Sequence, residues 1–149
     1  GIYVYIKRSL PYPSLNTFDA PNREVCTINR PRTTTPLQAL VLMNDPVYVE
    51  AARALAQRIL QESKGDVSDK IKFAFRLTLS RSPEKGELKL LEKIYREQLE
   101  HFKTDPKAAK EFISVGETAR PENLDISELA AWTAIGNILL NLDETITKG

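Results

Sequence analysis

From Pro36 onward the apolar residues recur three and four apart, the period of a helix that buries one face, whereas the first 35 residues show no period at all. Six helices are predicted. Thr35-Pro36-Leu37-Gln38 reads as a capping box, with the Thr35 hydroxyl on the amides of the first turn and Gln38 reaching back, so a short helix is predicted over about 36–43. It is apolar nearly all round, which predicts burial on most sides. Asn44-Asp45-Pro46 repeats the device, with Asp45 as N-cap, and opens an amphipathic helix over about 46–63. Val49, Ala52, Leu55, Ala56, Ile59 and Leu60 form its core face, and Glu50, Arg53, Gln57, Arg58 and Gln61 its solvent face.

The same reasoning predicts helices over about 68–80 (Ile71, Ala74, Phe75 and Leu79 inward, Lys70, Lys72 and Arg76 outward), 83–103 behind Ser82-Pro83, and 106–115 behind Asp105-Pro106. Glu92, Arg96, Glu97 and Glu100 read as the solvated face of the fourth. The last helix, about 126–142 behind Asp125, is apolar on most of its circumference and is predicted to be the centre of the bundle, with Trp132 in the core. Thr133, Asn137 and Asn141 interrupt it at four-residue steps. This polar line either meets a solvent strip or the N-terminal arm, or it lines a groove for a partner or ligand.

Before Thr35 the pattern changes. Residues 2–6 are a short run of β-branched and aromatic residues that fits a buried strand or the end of a helix, and their abrupt start reads as a cut from a longer protein. Pro11, Pro13, Pro21 and Pro31 rule out long regular structure over residues 9–34. Leu10, Tyr12, Leu15, Phe18, Val25 and Ile28 are nonetheless too apolar for a disordered tail. The expected architecture is all-α: a single domain over residues 1–149, with an irregular proline-rich arm over 1–35 laid on a helical bundle over 36–149. No repeat period is present.

Composition narrows the chemistry. Lys and Arg number 21 against 20 Asp and Glu, a net charge of +1, which lacks the basic excess of a nucleic-acid binder. Cys26 and His101 are each the only residue of their type, so an internal disulfide, a Cys/His zinc site and a C-x-x-C-H haem attachment are excluded in this chain. A Cys26 nucleophile lacks a histidine base near it in sequence, and no carboxylate sits in an apolar run that would raise its pKa. No catalytic constellation is identified, and no run of about 18 apolar residues predicts a membrane span. Charge is uneven: residues 1–35 carry five cations and two anions, a balance of +3. Asp19, Arg23, Glu24, Cys26, Arg30 and Arg32 crowd that segment, and their charges pair with one another or serve a ligand. Arg30 and Arg32 upstream of the Thr35 helix start form a candidate anion site, since a helix N-terminus offers free amides and partial positive charge.

The string Thr17-Phe-Asp-Ala-Pro-Asn-Arg-Glu-Val-Cys-Thr, then Arg30-Pro-Arg-Thr-Thr-Thr-Pro-Leu-Gln-Ala-Leu-Val-Leu-Met-Asn-Asp-Pro, and finally Asn141-Leu-Asp-Glu-Thr-Ile-Thr resembles a known family along essentially the whole chain. It is the C-terminal domain of unknown function of large planctomycete-type proteins that often carry cytochrome c-like haem domains upstream. The resemblance implies a fragment of an exported, periplasmic or cell-surface parent, with any haem elsewhere in that parent, and it supplies no catalytic residue. Two functions are then in view: a structural or interaction module that packs against neighbouring domains of the parent, or an anion- or glycan-binding or catalytic domain built on the arginine-rich arm.

Overall fold

A computed structural model describes residues 35–116 and 124–146 together with Thr17 and Asp19. Residues 2–6, the arm apart from those two positions, Cys26, Arg30, Arg32 and the loop over 117–123 lie outside the described residues. The chain divides into two compact units, residues 1–41 and 42–149.

α1 (Pro36–Asn44) starts in the first unit, as the capping box dictates, and its last residues, from Leu42, belong to the second. The Thr35 amide donates to Gln38 Oε1 at 3.0 Å and the Gln38 amide to Thr35 Oγ1 at 3.3 Å. Gln38 Nε2 donates to the Thr17 carbonyl at 2.8 Å, so this one polar residue of the first turn is buried. The expected burial on most sides does not occur: Leu37 and Leu40 are each 56% exposed. A helix apolar all round gives no periodic cue to its inner face, and here the carboxamide with two partners takes the inner position.

The second unit is an all-α bundle, with no strand among the described residues. α2 (Pro46–Glu62), α3 (Val67–Leu79), α4 (Lys85–Thr104), α5 (Pro106–Ile113) and α6 (Ile126–Leu140) start within two residues of the predicted positions, because aspartate caps set most of the starts. Asp45, Asp66, Asp105 and Asp125 accept from Val47, Asp69, Lys107 and Glu128 amides at 2.9, 2.9, 3.1 and 2.8 Å. α7 (Asp143–Ile146), a four-residue helix, was not predicted: one turn is too short to show a period.

Helix α6 is the centre, packing on α2, α3, α4, α5 and α7. Leu129, Trp132, Ile135 and Leu139 are buried to 1% exposure or less, each contributing on the order of 1.5–3 kcal/mol by leaving water. Its most extensive partner is α2, whose Ala52, Ala56 and Ile59 are fully buried. The approach is close enough to require glycine: a Cβ on Gly136 would stand 2.9 Å from the Ala52 carbonyl oxygen.

Two arginines close the helix ends. Arg53, expected on the solvent face of α2, is 3% exposed, since its Nη1 donates to the Ile113 carbonyl at the end of α5 at 2.5 Å with Glu50 at 3.6 Å. A carbonyl left over at a helix terminus attracts a cation inward. Lys70 also departs from its expected place, meeting Glu128 at 3.3 Å, and the half-buried Glu92 accepts from Ser68 Oγ. Arg81 follows Ser80, whose left-handed φ of 57° stops α3. Its guanidinium grips Glu87 through two bonds of 2.8 and 2.7 Å and Glu144 on α7 through two of 2.8 and 3.2 Å, and it lies over the Phe75 ring. Glu87 also takes the Glu84 amide at 2.7 Å, so α4 begins at Lys85 rather than at Pro83.

Two outcomes test this packing. Gly136→Ala should stabilise the protein by about 1 kcal/mol if helix propensity decides. Because backbone blocks the added methyl, we expect a loss of about 1–3 kcal/mol instead, read from urea unfolding. Glu87 is held down to about 2, first by the Arg81 guanidinium and next by the Glu84 amide, against 4.5 ordinarily. A depressed carboxylate stabilises above its unfolded value and ceases to do so as pH falls toward its folded value. Wild type should therefore exceed Glu87→Gln in urea midpoint at pH 7, with the gap closing between about pH 4.5 and pH 2; a constant gap would place Glu87 outside the clasp.

Candidate functional site

In the second unit, a groove of about 290 Å³ runs between α4, α5 and α6. Ile94 and Gln98 line it from α4, Phe112 from α5, and Ala134, Asn137, Ile138 and Asn141 from α6, with Met43 at one end. Its walls are mostly apolar, and none of the described lining residues is charged. Helical spacing puts these residues together: positions 94 and 98, and 134, 137, 138 and 141, each share one helix face. Phe112 is fixed from behind by Phe102, ring centroids 5.8 Å apart and 14° from parallel.

Of the polar line on α6, Asn137 and Asn141 reach this groove and Thr133 does not. Each four-residue step rotates about 40° around a helix, so Thr133 sits about 80° from Asn141. Thr133 is fully buried, and its hydroxyl donates back to the Leu129 carbonyl at 2.7 Å. Asn137 Nδ2 donates to the Met43 carbonyl at 3.3 Å, and Asn141 Nδ2 donates to Asn137 Oδ1 at 2.9 Å and to the Asn137 carbonyl at 3.1 Å. Asn141 Oδ1 is shielded from solvent and accepts no hydrogen bond among the described residues. Gln98 makes no side-chain hydrogen bond among the described residues. Gln98 is not among the residues expected at a site; its one signal in the sequence is a carboxamide four residues after Ile94 and next to Leu99.

The second candidate, at Arg30, Arg32 and Thr35, falls outside the described residues in its two arginines. Thr35 is described, with its hydroxyl committed to the Gln38 amide. A further titratable cluster lies in the core. Tyr95 packs on Trp132, centroids 4.8 Å apart, with Lys70 Nζ 6.0 Å from the indole and bonded to Glu128. Burial first, then the Glu128 charge, pushes the Tyr95 hydroxyl up to about 12. Among the described residues no three His, Cys, Asp or Glu side chains gather in a way that could hold a metal ion, and no helix is long and apolar enough to cross a membrane.

Residues 1–95 match the model of PSD1, protein of unknown function (DUF1553). The match covers the first part of the chain rather than its whole length. No curated protein and no solved structure is similar to the chain.

The amide pair on the groove wall gives a measurable coupling. Asn137→Ala should cost about 1 kcal/mol through the lost bond to Met43, and Asn141→Ala a similar amount. The double variant should cost less than the sum by about 0.5 kcal/mol or more, because the two share the Nδ2–Oδ1 bond. Additive losses in chemical denaturation would show that the carboxamides act separately.

Proposed function

Starting from a chain that belongs to the PSD1 family, whose function is unknown (DUF1553), we propose that residues 42–149 act as an interaction module of a larger exported protein. In this reading a neighbouring part of the parent docks in the groove between α4, α5 and α6. The observation that carries it is the character of that groove: uncharged, mostly apolar, and edged by carboxamides already oriented by one another. Such a surface excludes water around an apolar insert and fixes its register by a few polar contacts. It places no acid, base or nucleophile beside a substrate. Export, and any haem of the parent, belong to the same proposal and rest on the Thr17–Thr27 and Arg30–Pro46 strings. The anion or glycan reading of Arg30, Arg32 and Thr35 ranks second, because the Thr35–Gln38 capping box already uses two of the groups that an anion would need.

The test is a photo-crosslinking residue at Ala134 in the full-length parent. We expect crosslinks to a defined segment outside residues 42–149, absent when the same group is placed at the exposed Arg96. Indiscriminate crosslinking at both positions would overturn the docking role.

A further inference from the structure

We draw no further inference here: the strongest candidate, the apolar groove between α4, α5 and α6, belongs to the site already described, and nothing in the structure shows the chemistry of what covers it.

Discussion

The bundle depends on one near-contact between backbones. Where α6 crosses α2, Gly136 faces the Ala52 carbonyl with no room for a methyl group between them, and Ala52 and Ala56 are fully buried around it. Small residues at the crossing let the large ones work at its flanks. Ile59, Trp132, Ile135 and Leu139 can interdigitate fully only because the two axes approach so closely. A central glycine ordinarily weakens a helix by about 1 kcal/mol relative to alanine. Here dense packing on both sides offsets that loss.

Several polar side chains reach backbone carbonyls or helix ends from within the bundle, while the buried Trp132 Nε1 finds no partner among the described residues. Arg53 takes the terminal carbonyl of α5, Arg81 joins the start of α4 to α7, Thr133 bonds back along α6, and Asn137 takes the carbonyl of Met43. Among the described residues Gln98 makes no side-chain hydrogen bond and Asn141 Oδ1 accepts none, and both residues line the groove between α4, α5 and α6.

Much of the fold was legible in the sequence. The aspartate caps and the X-Pro starts mark helix beginnings locally, so chain order alone reveals them, and the apolar circumference of α6 announces a central rod. What was not legible depends on partners far along the chain. Nothing near Arg53 says that it will meet Ile113, and nothing near Lys70 says that Glu128 waits opposite. Pro83 looked like a helix start, yet Arg81 and the Glu84 amide converge on Glu87 and move the start two residues on. The polar line on α6 was visible as a pattern, but whether Thr133 shared a face with Asn141 turned on helical rotation. Gln98 became meaningful only once α4 lay across from α6.

Trp132 is the chain's only tryptophan, fully enclosed on the helix that touches five others, with the Tyr95 ring tilted against it at 4.8 Å. Light absorbed by that tyrosine can pass to the indole over so short a distance, and the indole emission is then set by the interior of the bundle alone. The protein thus carries its own optical reporter at the junction of its helices, needing no label, blind to the surface and sensitive to the first water that enters.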